Sequence, residues 1–323
     1  MTITILDGGM ATTLERTFHK DLSGKEVPSL AWYLWSAACL KDCPETIKAA
    51  HTAHLEAGAE IITTCTYQAS FEGFRRAGYT DNEAVELMLR GVELADEARK
   101  EYQTTTGKSV KVALSLGCYG AILANGAEYS VIGSFLGDYG DVSLQSLVDF
   151  HRRRLDVFFN DGIPYGGIDL ILFETVPSYL EAQAIHQLLQ ETPYTVPSMV
   201  SFSCNSLHTV CHGEPIAQCV ALFNDLKHVS AVGVNCTKPR FITSLLQDIH
   251  GAIQNKTLIV YPDGGEEWDA EARTWKVETK MDAQQFGPMF ESWIKQFGSD
   301  FIIGGCCGTT AHHISSICHH VDQ

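Results

Sequence analysis

Three cysteines at the ends of two apolar runs are the residues of this chain best suited to chemistry. Ile302-Ile303-Gly304-Gly305-Cys306-Cys307-Gly308-Thr309 reads as a β-strand ending in a glycine-cradled vicinal pair, and Ala231-Val232-Gly233-Val234-Asn235-Cys236 reads as an earlier strand ending in a third thiol. If both runs are parallel strands of one barrel, their C-terminal ends meet, and three thiolates on one rim make a soft metal site with an open position. Zinc bound by three protein ligands plus an exchangeable fourth is the pattern of a catalytic site, and thiolates favour zinc over magnesium or calcium. The separation of 70 residues (306 − 236) and the vicinal pair differ from the C-x2-C knuckles of zinc fingers. Taken alone, a cysteine pair in a tight turn reads as packing, because free cysteine behaves as a small buried hydrophobe.

Other strand-like runs also end in polar residues. Leu6-Asp7-Gly8-Gly9-Met10 follows the first run, Thr63-Thr64-Cys65-Thr66-Tyr67 the second and Phe173-Glu174-Thr175 the fourth. Carboxylates at Asp7 and Glu174 can bind an ammonium group, and exposed amides at Gly8 and Gly9 can bind a carboxylate. An amino acid carrying a thiol satisfies carboxylates, amides and metal together. Singly, Asp7 reads equally well as a helix N-cap and Glu174 as a salt bridge within a barrel.

Residues so far apart in sequence must be gathered by the fold. Eight short aliphatic runs recur, from Thr2 to Asp7, Ala59 to Tyr67, Val110 to Cys118, Asp169 to Thr175, Val196 to Cys204, Ala231 to Cys236, Thr257 to Pro262 and Asp300 to Cys306. Most are continuously apolar, as strands buried on both faces are. Helical periodicity lies between them, for instance Asn82 to Gln103 with Ala84, Leu87, Met88, Gly91, Leu94, Ala95 and Ala98 on one face. Ser143 to Phe159, Ser178 to Leu189, Arg240 to Ile253 and Asp282 to Phe297 repeat the pattern. The alternation predicts an α/β single-domain (β/α)8 TIM barrel spanning residues 1–323, with an open doubly wound sheet as the alternative. Long connections after the first, third, fifth and seventh runs fall where barrel enzymes build active sites. Their aromatic residues (Trp32, Tyr33, Trp35, Tyr119, Tyr129, Phe135, Tyr139, Trp268 and Trp275) are candidates to line a pocket or simply to patch the barrel top.

The 323 residues are 45% hydrophobic and carry a net charge of −16, with an isoelectric point near 5.2. Such a balance disfavours phosphodiester backbones, so nucleic acid is excluded as the default partner. No basic leader and no run of about 20 apolar residues is present, which predicts a cytoplasmic protein without a membrane span. Eleven cysteines in that setting are expected to be reduced thiols rather than a disulfide framework.

The segments Leu6-Asp7-Gly8-Gly9-Met10, Thr63-Thr64-Cys65-Thr66-Tyr67-Gln68-Ala69-Ser70, Phe173-Glu174-Thr175, Gly233-Val234-Asn235-Cys236 and Gly304-Gly305-Cys306-Cys307-Gly308 together resemble the homocysteine S-methyltransferases, in that family's order and over essentially the whole chain. The resemblance implies one zinc ion held by Cys236, Cys306 and Cys307. It implies the homocysteine ammonium on Asp7 and Glu174, its carboxylate near the amides of Gly8 and Gly9, and a pocket lined by Thr64 and Asn235. The chain looks like the fungal, microbial or plant members that take their methyl group from S-methylmethionine, with S-adenosylmethionine as the second donor. It ends 16 residues after Cys307 (323 − 307), without the C-terminal extension of the betaine-using branch and without the cobalamin and folate modules of a methionine synthase. Oligomeric state is left open by the sequence.

Two other readings are a barrel enzyme that binds phosphate on the glycine-rich turn after the last strand, and a non-enzymatic zinc or redox thiol protein. Both leave the ordered set of strand-end residues unexplained. Cys65, Cys118 and Cys204 are expected to pack. His312, His313, His319 and His320 are expected on the solvated face of a helix whose Ile314, Ile317 and Val321 face the barrel, and His151-Arg152-Arg153-Arg154 on the exposed side of another.

Overall fold

Eight aliphatic runs pair in parallel as β1 (Ile3–Ile5), β2 (Ile61–Thr63), β3 (Lys111–Gly117), β4 (Leu170–Val176), β5 (Ser198–Phe202), β6 (Val229–Asn235), β7 (Thr257–Tyr261) and β8 (Phe301–Ile303). The computed structural model describes residues 1–22, 30–129, 139–192, 194–269, 274–276 and 279–321. Each strand neighbours the next in sequence, and β8 pairs with β1. A parallel bridge between Leu6 and Ile61, with the Glu60 N–H donating to the Ile5 carbonyl at 2.8 Å, joins β1 to β2. That join makes the sheet a (β/α)8 barrel and rules out the open doubly wound alternative. Leu6, Ile61, Leu172, Met199, Ile259 and Ile302 pack inside it, and Cys306 sits against this plug.

The outer layer is α1 (Pro44–Glu56), α2 (Asp81–Thr106), α3 (Leu144–Phe158), α4 (Tyr179–Glu191), α5 (Ile216–Ala221), α6 (Pro239–Ala252), α7 (Ala283–Phe297) and α8 (Ala311–Val321). Local signals explain their ends. On α2, Thr80 and Glu83 form a reciprocal capping box and Gly107 closes the helix at φ 71°. Its buried face holds Ala84, Met88, Gly91, Leu94, Ala95 and Ala98, as the periodicity predicts, and adds Val92.

Three expectations need correction. Strands β1, β2 and β8 are three residues each; the polar residues beyond them leave the sheet and become the rim. On α3, His151 and Arg154 are buried rather than solvated, Arg152 is half-buried, and Arg153 alone of the four is exposed. Burial is tolerated because α4 supplies Glu181, whose Oε1 meets His151 Nε2 at 2.8 Å, and the Gly117 carbonyl accepts from Arg154 at 2.5 Å. On α8, Ile314 and Ile317 face inward as expected, but His313 is buried too, its Nδ1 accepting from the Thr310 N–H at 3.2 Å. Cys65, Cys118 and Cys204 are all buried. Among the described residues, no helix is long and apolar enough to cross a membrane.

Candidate active site

Strand ends of the barrel bring the three cysteines together. Cys236 follows β6 directly, in the left-handed region at φ 47°, a conformation that costs a non-glycine residue about 1–3 kcal/mol and so marks a constrained position. Its Sγ donates to Cys307 Sγ at 3.4 Å, and the sulfurs of Cys236, Cys306 and Cys307 lie within 4.8 Å of one another. Cys236 is buried, Cys306 half-buried and Cys307 exposed, so the cluster opens to one side. Protons are shared unequally. Hydrogen bonds from Cys236 and Cys306 hold the Cys307 thiol well below its usual range. The Cys306 bond favours the Cys236 thiolate, but the bond Cys236 donates to Cys307, with burial, outweighs it and pushes Cys236 up to about 12. Three mutually close sulfurs of this kind can hold a metal ion.

Beside the sulfurs are two buried acids. Asp7 follows β1 and accepts from the Thr63 N–H at 2.7 Å and the Thr63 hydroxyl at 3.0 Å. Burial raises its carboxyl from 3.8 to about 8, against the lowering by Thr63 and with repulsion from Glu174 added. Glu174, on β4, accepts from the hydroxyls of Ser115 and of Tyr261, the latter at 3.1 Å. Burial raises it to about 7, although both hydroxyls favour its charged form. No ion pair to either acid is present among the described residues.

A chain of buried polar groups ties Glu174 to the cysteines. Tyr261 OH lies 2.6 Å from Ser201 Oγ, and Ser201 Oγ donates to Asn235 Oδ1 at 2.9 Å. Asn235 also accepts from the Thr175 N–H and donates to the Thr175 hydroxyl, each at 2.8 Å, with a weak contact to Cys306 Sγ at 3.9 Å. Thr175 is itself at φ 62°. One asparagine therefore fixes two left-handed residues, Thr175 beside Glu174 and Cys236 beside itself. The run from Glu174 to Asn235 is continuous, with the Tyr261 hydroxyl donating to Glu174 and the Ser201 hydroxyl to Asn235.

The remaining sequence-derived residues hold the walls. The Thr64 hydroxyl accepts from the Ser115 N–H at 3.0 Å and meets Thr66 Oγ1 at 2.6 Å. Gly8 N–H points at His54 Nδ1 at 3.3 Å and Gly9 N–H at Thr309 Oγ1 at 3.1 Å. Both amides thus have acceptors within the protein, contrary to the expectation of exposed amides. The glycines are needed for space: a Cβ on Gly9 would lie 2.5 Å from the Cys306 carbonyl, and one on Gly8 2.8 Å from His54 Cε1.

With this geometry in place, comparison with known proteins is decisive. A family model described as homocysteine S-methyltransferase matches residues 4–321.

The chain belongs to the homocysteine S-methyltransferase family.

It is 39% identical over 326 residues to homocysteine S-methyltransferase 2 of Arabidopsis thaliana, covering 97% of this chain and 91% of that protein. It is also 39% identical over 324 residues to a selenocysteine Se-methyltransferase of Brassica oleracea var. italica, covering 97% and 87%. Among solved structures it matches the homocysteine methyltransferase MmuM from Escherichia coli in its metallated form, with a TM-score of 0.81, 31% identity and coverage of 100% of this chain and 97% of that one. Like the family, this chain is a methyltransferase enzyme.

Sequence reading did not single out several residues that line this site. Ser115, Ser201 and Tyr261 carry no pattern of their own, each being one hydroxyl in an apolar strand, whereas Thr63 stood in the quoted strand-end segment but without a role of its own. Tyr129 was singled out only as a loop aromatic, yet its hydroxyl lies 3.3 Å from Cys236 Sγ. Its neighbour Glu128 is buried, and burial raises it to about 7, with the Cys236 charge adding to the rise. Tyr119 and Tyr139 pack edge to face at 5.5 Å, and Tyr139 OH donates to Glu181. The side chains of Trp32, Tyr33, Trp268 and Trp275, and Phe135 entirely, lie outside the described residues.

Proposed function

We propose that residues 1–323 form one homocysteine-binding barrel that transfers a methyl group from a sulfonium donor to the thiol of L-homocysteine, giving methionine, with one zinc ion held by Cys236, Cys306 and Cys307. S-methylmethionine is the favoured donor and S-adenosylmethionine the second, and the protein works in the cytoplasm. The observation that carries the reading is the three-sulfur cluster beside two buried acids that have no basic partner among the described residues. Sulfurs around one zinc at about 2.3 Å stand about 3.8 Å apart in a tetrahedron, a spacing bracketed by the 3.4 Å and 4.8 Å of this cluster.

A free thiol with a pKa near ~8.5 is mostly unreactive at neutral pH, since only the thiolate attacks carbon. Zinc bound at the cluster supplies the positive charge that favours a thiolate there. Burial raises both Asp7 and Glu174, with repulsion between their charged forms adding to the rise at Asp7; an ammonium bound between them favours the carboxylate forms, the acids giving up their protons to solvent as it binds, and orients the amino acid. Asn235 keeps Glu174 and Cys236 in fixed relation, Thr64 braces β2 against β3, and Gly8 and Gly9 let the backbone close on Thr309 and Cys306. Methyl transfer is then a displacement in which positioning supplies much of the rate.

The phosphate-binding alternative loses its amides. In the turn after β8, the N–H groups of Gly305, Cys306 and Thr309 donate to the carbonyls of Asp7, Pro262 and Cys306, and Gly308 N–H donates to Thr12 Oγ1 at 2.9 Å. The deciding experiment gives zinc-loaded protein homocysteine with S-methylmethionine or with S-adenosylmethionine and measures methionine. Faster turnover with S-methylmethionine is expected; no methionine from either refutes the proposal.

A further inference from the structure

Glu128 is 8% exposed, and its Oε2 has no hydrogen-bond partner among the described residues. It sits on the short turn Ala127–Tyr129, whose last residue reaches Cys236 Sγ. The turn is pinned from both sides: the Glu128 carbonyl accepts from Ser203 Oγ at 2.8 Å, and Ala127 N–H donates to Asn125 Oδ1 at 3.0 Å. The Tyr67 hydroxyl, equally buried, lies near enough to feel the charges of both Glu128 and Cys236. An acceptor left unpaired in an apolar wall is costly unless a ligand completes it.

The methyl donor of the proposed reaction must be cationic and must reach this side of the cysteines. A sulfonium sulfur has no proton to give an acceptor oxygen, whereas an ammonium has three. The acids already assigned to the acceptor, Asp7 and Glu174, have hydroxyl partners; Glu128 Oε2 has none among the described residues. We propose that Glu128 binds the α-ammonium group of the methyl donor, making this subsite selective for amino-acid sulfonium compounds over onium donors that lack an N–H. The inference rests on the methyl-transfer reading and adds the donor's recognition to it.

The test measures dissociation constants by calorimetry and KM values for S-methylmethionine and for dimethylsulfoniopropionate, a sulfonium carboxylate with no amino group, using zinc-loaded protein. Glu128→Gln is expected to weaken S-methylmethionine about 10- to 100-fold, leaving dimethylsulfoniopropionate, homocysteine affinity and zinc per chain unchanged; Glu128→Asp recovers part of the loss. Equal weakening of both sulfonium compounds, no weakening of either, or a fall in homocysteine affinity or zinc content overturns the assignment. If Glu128→Gln does not fold, the wild type decides: it must bind S-methylmethionine at least about ten-fold tighter than dimethylsulfoniopropionate, and equal binding overturns the assignment. Absence of methionine formation by wild type with every donor would instead refute the methyl-transfer reading, while donor binding still tests Glu128.

Discussion

Burial, more than any single neighbour, sets the charge of the acids at this site. Asp7 has its carboxyl raised from 3.8 to about 8, so between those values the folded protein keeps a proton that the unfolded chain has lost. Stability then falls as pH rises through that window, the reverse of a salt-bridged carboxylate. Asp7→Asn removes the titration, so the melting temperature of wild type relative to the variant should drop between pH 5 and pH 8 in protein without homocysteine. Parallel pH profiles for the two proteins would contradict the assignment. Glu174→Gln keeps the hydrogen bonds but cannot neutralise an ammonium; homocysteine affinity by calorimetry should fall about 10- to 100-fold with zinc retained. Loss of zinc with affinity unchanged would place Glu174 with the metal instead. At this scale the sequence showed the residues with distinctive chemistry, Asp7, Glu174 and the three cysteines, and missed Ser115, Ser201, Tyr261 and Glu128. Their role depends on what faces them across the barrel, and no local pattern encodes that.

Among the elements, the strands were legible because continuous apolar runs are required of strands covered on both faces, and α2 was legible because its buried face keeps helical period for about four turns, from Ala84 to Ala98. Misreadings fell where burial depends on a distant partner. His151 looks solvated until α4 places Glu181 against it, Arg154 until the Gly117 carbonyl at the end of β3 accepts from it, and His313 until the Met281 carbonyl meets its Nε2 at 3.3 Å. The segment 7–9 after β1, which leads into the short helix Met10–Arg16, is equally dependent on a remote element. Gly9 lies so close to the Cys306 carbonyl, 2.5 Å from a built Cβ, that Gly9→Ala must push the cysteine turn away. We expect a loss of about 1–3 kcal/mol in urea unfolding together with weaker zinc binding. Gly251→Ala, inside α6 with nothing within 4 Å, should be neutral or stabilising by up to about 1 kcal/mol. Equal effects of the two substitutions would show that close approach at Gly9 is not what the glycine provides.

In the whole molecule, barrel closure is what converts scattered residues into a site. Asp7 comes from the first strand, Glu174 from the fourth, Cys236 from the sixth and the cysteine pair from the eighth, and only a sheet that joins β8 to β1 places the first and last beside each other. The fold and the family were therefore readable from strand-end residues in order, whereas the donor side was not, because it is built from loop residues such as Glu128 and Tyr129 whose positions the strand pattern does not fix. The central claim is that three thiolates hold the zinc on which methyl transfer depends. Its most direct test is zinc per chain and methionine formation measured together, from homocysteine and S-methylmethionine, in wild type and in Cys236→Ala, Cys306→Ala and Cys307→Ala. One zinc per chain in wild type, with zinc and turnover both lost in each folded variant, is the predicted result; full turnover in a zinc-free variant would contradict it.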